Sequence, residues 1–253
     1  MTIFARGQIV RFDSTEYWQA NTWDRYVEVA KVPQAIKDEF LRQEELTVSG
    51  ILPLCNKESD LRIMDLACGA GRVAESVLQA ASFNRKVLMT LVDFNPKTIV
   101  LAKQNLKNYH NVSFAIADAY DIGNMLDGSF DMVICLDLLH HISDVNSLFS
   151  QIKKVLKPNG LFIGNVLAAE TYAEWDRLKY GRIKSWRRRL LCSLSQKVYR
   201  TSPRAVKRVI RRLGLARLTP FAREDLLASL EAHFESVEII TSYYHWFCAR
   251  TVR

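Results

Sequence analysis

Cysteine, proline and glycine are scarce in this 253-residue chain, which contains five, six and ten of them. The cysteines are widely spaced and form no CxxC pair, so neither a disulfide framework nor a metal site is indicated. No stretch approaches the roughly 18 consecutive apolar residues of a membrane span, and no signal-peptide core is visible at the start. We therefore expect a cytoplasmic protein without a transmembrane segment.

What the chain does contain is enough apolar material for a core, because 49% of its residues are hydrophobic. This composition excludes a disordered or low-complexity protein, and the length fits one domain with additions. The net charge of +8 is localised, since residues 177–217 contain 15 Lys or Arg and no acid, which leaves 20 basic against 27 acidic residues elsewhere. A basic segment on a mildly acidic body indicates a localised anionic partner or surface.

Short β-rich apolar runs alternate with helix-patterned stretches, which predicts an α/β fold with a mostly parallel sheet and helices on both faces. The predicted strands are LRIMDL, KVLMTLVD, NVSFAIAD, FDMVICLD and GLFIGNVL, followed near the C-terminus by SVEIITSYY and HWFCARTV. Asn95-Pro96 and Asp144 are predicted helix starts, and Pro158-Asn159-Gly160 is a predicted helix stop. The sheet is therefore expected to have seven strands.

The regions that flank this core predict a division into four parts. They are an N-terminal helical cap over 1–55, the core over 56–168, a basic helical insertion over 169–218, and a helix with two strands over 219–253 that completes the sheet. The cap is rich in aromatic residues, of which Tyr17 and Tyr26 are candidates for a lid over a site. The simpler alternative for these aromatic side chains is burial in the core.

Three successive predicted strands each end in an acid. The first continues from Asp65 into a turn with Gly69 and Gly71, the second ends in Asp93 and the third in Asp118. Because the carboxyl ends of parallel strands meet at one edge, these residues outline a crevice for a nucleotide-like ligand, with Asp93 able to accept from ribose hydroxyls and Asp118 from an adenine amine. Taken singly, each acid is also explained as a helix cap and the glycines by the steric needs of a turn.

Together these motifs resemble those of the class I S-adenosylmethionine-dependent methyltransferases, over about residues 61–168 and again from 219 onward. The matching segments are DLACGAG, LVDFNP, ADAY, SFDMVICLDLLHHI and VLKPNGLFI, the last with Asn159 where glycine is usual. The resemblance implies a Rossmann-like fold, methyltransferase activity and S-adenosylmethionine as cofactor.

By position, the resemblance also implies which residues surround the cofactor. Asp65 is expected near its ammonium group, Asp93 at the ribose and Asp118 at the adenine. The full set of expected cofactor residues is Asp65, Ala67, Gly69, Gly71, Asp93, Phe94, Asp118, Ala119, Leu136 and Asp137.

Two other functions share this architecture. The spacing of Gly69, Gly71 and Ala74 is also compatible with the fingerprint of a nicotinamide dehydrogenase, which permits alanine at the third position. Asp65, however, would repel a pyrophosphate, whereas it would attract a sulfonium ligand that carries an ammonium group. A non-catalytic cofactor-binding module is disfavoured by the complete set of acids. The motifs of DNA methylation are missing, since Leu136-Asp137-Leu138-Leu139 follows the fourth strand, and we expect no DNA substrate.

His140 and His141 lie just beyond the fourth strand and are candidate bases for a hydroxyl acceptor, against a helix-start or packing role. We expect in-line methyl transfer to O, N or C of a small-molecule acceptor. The alternative is an acceptor presented by RNA, an acidic carrier protein or an anionic membrane surface docked through residues 177–217. A solvated basic face on a lid helix is the simplest interpretation of that segment.

Overall fold

The computed structural model describes residues 33–51, 53–54, 60–81, 87–125, 130–180 and 220–251. Its helices are α1 (Gln34–Ile51), α2 (Arg72–Ala81), α3 (Pro96–Asn105), α4 (Ile122–Met125), α5 (Val145–Val155), α6 (Tyr172–Tyr180) and α7 (Arg223–Glu231). Its strands are β1 (Leu61–Leu66), β2 (Val87–Asp93), β3 (Val112–Ile116), β4 (Phe130–Cys135), β5 (Leu156–Leu167), β6 (Ser236–Thr241) and β7 (Tyr244–Arg250).

The described strands form one seven-stranded sheet in the order β3-β2-β1-β4-β5-β7-β6. Strands β1 to β5 run parallel to one another, and β7 runs antiparallel to both β5 and β6. The α/β class, the mostly parallel sheet and the strand number predicted from the sequence are confirmed. Since β1, β2 and β3 are adjacent and parallel, the ends that carry the predicted acids lie along one edge of the sheet.

The core lies on both faces of this sheet, which explains why the central strands are apolar throughout instead of alternating. One face packs against α5 and α7, where Phe149 and Phe162 meet with ring centroids 5.7 Å apart. The other face packs against α2, α3 and the end of α1, around residues such as Ile63 and Leu91. Burying each such side chain contributes about 1.5–3 kcal/mol, so the two layers hold the strand ends in fixed register.

Two predicted helix starts are confirmed by their capping bonds. The Asn95 side chain accepts from the Lys97 main-chain N–H at 2.9 Å, and Pro96 occupies the first position of α3. The Asp144 side chain accepts from the Ser147 N–H at 3.0 Å at the start of α5. Each cap satisfies a donor that the first helical turn leaves unpaired.

Two element boundaries differ from the prediction. The chain passes from Val155 directly into β5, so that strand begins four residues earlier than predicted, and Asn159 adopts a left-handed conformation with φ 60° inside an irregularity of the β4–β5 pairing. Tyr244 belongs to β7, because it pairs with Leu167 of β5. Both differences arise from pairing with a strand distant in sequence, which local patterning does not report.

Part of the predicted organisation lies outside the described residues. This applies to the aromatic cap residues Tyr17 and Tyr26 and to most of the basic segment 177–217. Of the predicted cap the structure describes α1, and of the predicted insertion it describes α6. Within the described part of the chain, every helix is too short or too polar to cross a lipid bilayer.

Candidate functional site

A cleft of about 490 Å³, including its open mouth, lies at the carboxyl ends of β1, β2, β3 and β4. The predicted site residues that line it are Ala67, Asp93, Phe94, Asp118, Ala119 and His141. The other predicted cofactor residues occupy the adjoining strand ends and turns, and they are Asp65, Gly69, Gly71, Leu136 and Asp137. The acids named from three separate strands therefore lie along one cleft or directly behind its wall.

The glycine-rich turn after β1 holds three residues in left-handed conformations, Ala67 with φ 59°, Gly69 with φ 55° and Gly71 with φ 86°. The Gly71 N–H donates to the Cys68 carbonyl at 3.0 Å, and the Cys68 N–H donates to Val92 of β2 at 3.1 Å. Among the residues that the structure describes, a Cβ added at Gly69 would meet no atom within 4 Å. The main chain at Gly69 is thus exposed to space that a ligand can occupy.

Asp93 ties this turn to the end of β2. Its Oδ2 accepts from the Gly69 N–H at 3.2 Å and its Oδ1 accepts from the Asn95 N–H at 2.9 Å. Burial raises the pKa of Asp93, while the main-chain donors at Asn95, Gly69 and Phe94 oppose that shift. Each carboxylate oxygen can accept more than one hydrogen bond, so the bonds that fix this side chain leave it able to receive hydroxyl donors.

Buried acids make the floor of the site electronegative. Asp65, in β1, is 3% exposed and Asp93 is 8% exposed. Burial raises the pKa of the Cys68 thiol, and the charges of Asp65 and Asp93 raise it further. Burial also raises the pKa of Cys135, with the charges of Asp65 and Asp137 adding to it. Thiols that stay protonated beside carboxylates indicate a site suited to a cationic ligand and not to a thiolate nucleophile.

Asp118 and Ala119 follow β3 at the outer side of the cleft. The Asp118 carboxylate is exposed and accepts from the Tyr120 N–H at 2.9 Å, which closes a short turn. The Tyr120 hydroxyl in turn accepts from the Asp144 N–H at 3.1 Å, beyond β4. The cleft wall on the β3 side is therefore joined to the wall on the β4 side.

The two candidate bases occupy different environments. His141 is half-buried and lines the cleft, whereas His140 is 3% exposed and lies behind it. Their ring centroids are 4.3 Å apart, and the His140 ring is also 6.3 Å from that of Tyr244 in β7. Of the two, His141 is the one that lines the cleft.

The turn after β4 carries an arrangement that the sequence analysis did not identify. Asp137 has φ 59°, and its N–H donates to the side chain of Asn165 at 2.6 Å. Asn165 is fully buried in β5 and also donates to Gln43 of α1. An asparagine within the apolar run GLFIGNVL was the available signal, because a buried amide needs polar partners.

The predicted insertion leaves and rejoins the sheet at a single point beside β5. Ala168 and Phe221 form a parallel bridge, and the Phe221 carbonyl lies 3.0 Å from Nε2 of the buried His245. Nε2 of His245 is also 3.2 Å from Glu170, whose other oxygen accepts from the Arg223 N–H at 3.0 Å. These contacts anchor both ends of the insertion at the same edge of the sheet as the cleft.

Comparison with known proteins supports this interpretation of the site. A family model described as "Methyltransferase domain" matches residues 57–211, which is more than half of the chain. The ubiquinone biosynthesis O-methyltransferase of Xanthomonas oryzae pv. oryzae (strain PXO99A) is 27% identical over 107 residues, covering 42% of this chain and 43% of that protein. The match thus spans less than half the length of that curated relative.

Two solved structures share the fold at low sequence identity. The magnesium protoporphyrin IX methyltransferase ChlM of Synechocystis PCC 6803, with SAH bound, superposes with a TM-score of 0.61 at 18% identity, covering 93% of this chain and 96% of that chain. The N-methyltransferase NodS of Bradyrhizobium japonicum WM9 does so with a TM-score of 0.51 at 15% identity, covering 84% and 98%. Taken with the family match and the strand order, these likenesses show that the chain belongs to the class I S-adenosylmethionine-dependent methyltransferases.

Proposed function

We propose that the chain binds S-adenosylmethionine in the described cleft and transfers its methyl group to a small-molecule acceptor. The observation that carries the proposal is that Asp93 and Asp118, which follow adjacent strands, line one cleft, while Asp65 lies in the neighbouring strand β1, whose end at Leu66 and Ala67 lines the same cleft. In this arrangement Asp93 receives the ribose hydroxyls, Phe94 and Ala119 flank the adenine, and Asp118 accepts from its amine.

Electrostatics favour this ligand over a dinucleotide. Asp65 and Asp93 are both buried, so their charges act through a medium that screens them less than water does. S-adenosylmethionine supplies an electrophilic methyl group on a sulfonium and also carries an ammonium group. Buried carboxylates attract both of these charges, whereas the two negative phosphates of a dinucleotide would be repelled.

The chain's own residues act mainly by positioning. Leu136 and Asp137 border the end of the site next to β4, and Leu138 and His141 form the adjacent cleft wall. His141 is half-buried and faces the cleft, so we assign it the role of accepting a proton from an acceptor hydroxyl, with His140 packed behind it. Holding the reacting groups in line supplies most of the rate that such a transfer requires.

The substrate range follows from the same proposal. The printed names of two relatives, the ubiquinone biosynthesis O-methyltransferase and the magnesium protoporphyrin IX methyltransferase, refer to small molecules. We extend that class to this chain and propose a small-molecule acceptor that is methylated at O, N or C. The 15 basic residues of 177–217 favour a second candidate, an acceptor presented by RNA, an acidic carrier or an anionic membrane surface. We also retain the division into regions 1–55, 56–168, 169–218 and 219–253 and a cytoplasmic location as parts of this proposal.

The test of the cofactor site is calorimetric titration of the purified protein with S-adenosylmethionine. Wild type should bind, and Asp93→Ala should bind about 100-fold more weakly or not at all, because two or more hydrogen bonds to a charged group are lost. Asp131→Ala is the matched control, since Asp131 lies at the start of β4, at the opposite edge of the sheet. If wild type does not bind, or if Asp93→Ala binds equally well, the proposal fails.

The acceptor is best identified from its product. A cell extract incubated with the protein and methyl-labelled S-adenosylmethionine should yield a labelled compound whose mass names the acceptor. A small labelled metabolite supports the main proposal, whereas label in RNA or a protein supports the second candidate. Association with RNA or with vesicles of anionic lipid that weakens as salt rises would also favour the second candidate.

A further inference from the structure

A chain of buried hydrogen-bonded side chains joins helix α1 to the turn after β4. The Asp137 N–H donates to Asn165 Oδ1 at 2.6 Å, and Asn165 Nδ2 donates to Gln43 Oε1. Gln43 Nε2 then donates to Glu39 Oε1 at 3.1 Å, and Ser242 Oγ donates to the same oxygen at 2.5 Å. Asn165 and Gln43 are almost completely excluded from solvent, so water cannot replace these bonds.

The groups at the two ends of this series of hydrogen bonds fix which side chain donates and which accepts at every step. A main-chain N–H at Asp137 can only donate, so Asn165 must present its oxygen there and its nitrogen toward Gln43. Gln43 must therefore present its oxygen to Asn165 and its nitrogen to Glu39, where a carboxylate can only accept. Neither side-chain amide, that of Asn165 or that of Gln43, can turn over without placing two acceptors or two donors against each other.

The turn that these hydrogen bonds hold leads directly into the cleft wall. Asp137 has φ 59°, a left-handed conformation that residues with a Cβ rarely adopt, although Asp tolerates it better than most. Asn165 Nδ2 also lies 3.4 Å from Asp137 Oδ1, so the same side chain approaches both the main chain and the carboxylate of the turn. The residues that follow, Leu138 and His141, line the cleft.

We infer that Asn165 and Gln43 are positioning residues, which hold the Asp137 turn in its left-handed conformation before the cofactor binds. Helix α1, which contains Gln43, therefore contributes to the geometry of the cofactor site. The inference rests on the proposed function, in which this turn borders S-adenosylmethionine. It assigns to α1 a role beyond covering the sheet, because a change at Gln43 is transmitted through Asn165 to the cleft wall.

The first test compares Asn165→Ala with Thr251→Val. Asn165→Ala removes the acceptor of the Asp137 N–H, so S-adenosylmethionine affinity should fall about tenfold and the Asp137 amide hydrogen should exchange about tenfold faster with solvent. Thr251→Val removes another hydrogen bond from a buried side chain to the main chain, from Thr251 Oγ to the Lys157 carbonyl at 2.9 Å, at the far end of β5. That control should leave cofactor affinity and Asp137 exchange unchanged.

The second test reverses the donor-to-acceptor direction of the hydrogen bonds between residues 165, 43 and 39 with nearly isosteric substitutions. Asn165→Asp still offers an acceptor to the Asp137 N–H but no donor to Gln43, so the Gln43 amide must turn over and its oxygen then faces Glu39. Adding Glu39→Gln supplies the missing donor and restores the net charge. The single variant should lose about tenfold or more in cofactor affinity, because the Gln43 amide is misdirected and a second carboxylate lies near Asp137 Oδ1, which is 3.4 Å from Asn165 Nδ2 in the wild type. The double variant should recover the part of the loss that arises from the Gln43 amide.

Two results would overturn the inference. One is an Asn165→Ala protein that binds S-adenosylmethionine as tightly as wild type with unchanged Asp137 exchange. The other is a folded double variant that remains as weak as Asn165→Asp alone, because a merely structural contribution of Asn165 predicts no rescue by Glu39→Gln. A wild-type protein that fails to bind the cofactor refutes the proposed function instead, so the two failures are distinguishable.

Discussion

The two edges of the parallel sheet use their polar residues in different ways. At the amino edge, Asp131 accepts from the Arg62 N–H and from Lys157 Nζ, both at 2.9 Å. Thr251, beyond the end of β7, donates to the Lys157 carbonyl at the same edge. These bonds connect one strand end to the next at the amino edge.

At the carboxyl edge, polar residues are buried and directed toward a cleft. Asp65 and Asp93 are held behind or within its wall, and Ala67 and Asp137 adopt left-handed conformations although neither is glycine. Such conformations cost free energy and persist where the surrounding structure enforces them. The comparison indicates that polar residues at the amino edge connect strands, whereas the carboxyl edge contains strained and buried polar residues that can present acids and main-chain groups to a ligand.

Among substitutions that test the difference between the two edges, Gly69→Ala at the carboxyl edge is expected to have the largest effect on cofactor affinity. The added Cβ enters space at the carboxyl edge that no described residue fills, where the cofactor is proposed to lie, so S-adenosylmethionine affinity should fall by about tenfold to a hundredfold, the equivalent of ~1–3 kcal/mol of overpacking. The φ of 55° at Gly69 also strains an alanine, so a part of the free energy of unfolding should be lost as well. Calorimetric titration measures the affinity.

Gly71→Ala is the matched variant for Gly69→Ala. At Gly71 the Cβ would lie 2.8 Å from Leu106 Cδ1 and the φ of 86° is strained for alanine, so this variant should mainly lose free energy of unfolding, by about 1–3 kcal/mol. Equal losses of stability in both variants, with cofactor affinity unchanged in Gly69→Ala, would contradict the assignment of the open space to the cofactor.

The next largest effect is a pH dependence set by Asp93. Burial raises the pKa of Asp93, so the carboxyl ionises at higher pH in the folded protein than in the unfolded chain. Through that window the folded state binds more protons, and this group therefore lowers the free energy of unfolding of the cofactor-free protein as pH rises. A bound cation favours the ionised form, so S-adenosylmethionine affinity should increase with pH through the same window, by at most about tenfold per pH unit.

Titrations across pH check this dependence of affinity on Asp93. Asp93→Asn removes the titrating group, so its weaker affinity should lack that component of the pH slope. A slope that is the same in wild type and in Asp93→Asn would mean that another group is responsible.

A smaller effect is expected from Thr251→Val at the amino edge. The variant loses one hydrogen bond from a buried hydroxyl, which should lower the free energy of unfolding by about 1 kcal/mol. Denaturant unfolding measures this loss, and a titration alongside it should show wild-type cofactor affinity. A marked loss of affinity would show that the two edges of the sheet are not independent.

The smallest effect is expected from Lys157→Gln, which breaks the ion pair with Asp131. The two side chains are 36% and 23% exposed, so solvent screens the pair and its removal should cost about 0.5 kcal/mol or less. The difference from wild type should vanish in high salt. A loss that persists in high salt would show that Lys157 contributes by packing instead of by charge.

The sequence predicted the fold closely because its signals are local. Strand runs that are apolar throughout, the capping residues Asn95 and Asp144, and the glycine turn after β1 each follow from neighbouring residues alone. The acids at 65, 93 and 118 could be grouped in advance because parallel strands place their carboxyl ends along one edge. In those regions local preference and tertiary structure agree.

The sequence could not distinguish the roles of the two adjacent histidines. His140 and His141 are adjacent in the chain and were equally good candidates for a base. The 3₁₀ turn Leu139–His141 directs their rings to different surroundings, so that His141 lines the cleft and His140 packs between His141 and Tyr244. Tyr244 lies about a hundred residues further along the chain, and no local pattern reports that contact.

The sequence by itself determined the order of strands and helices, the position of the glycine turn and the acids at or near the ends of three strands, because periodicity, capping and turn chemistry act between near neighbours. Only the tertiary structure decided which histidine lines the cleft and that Asn165 connects Asp137 to Gln43. Asn165 and Gln43 are 122 residues apart in the sequence. The physical reason is that a buried amide must find donors and acceptors wherever the packed chain brings them, and packing, not sequence distance, sets those partners.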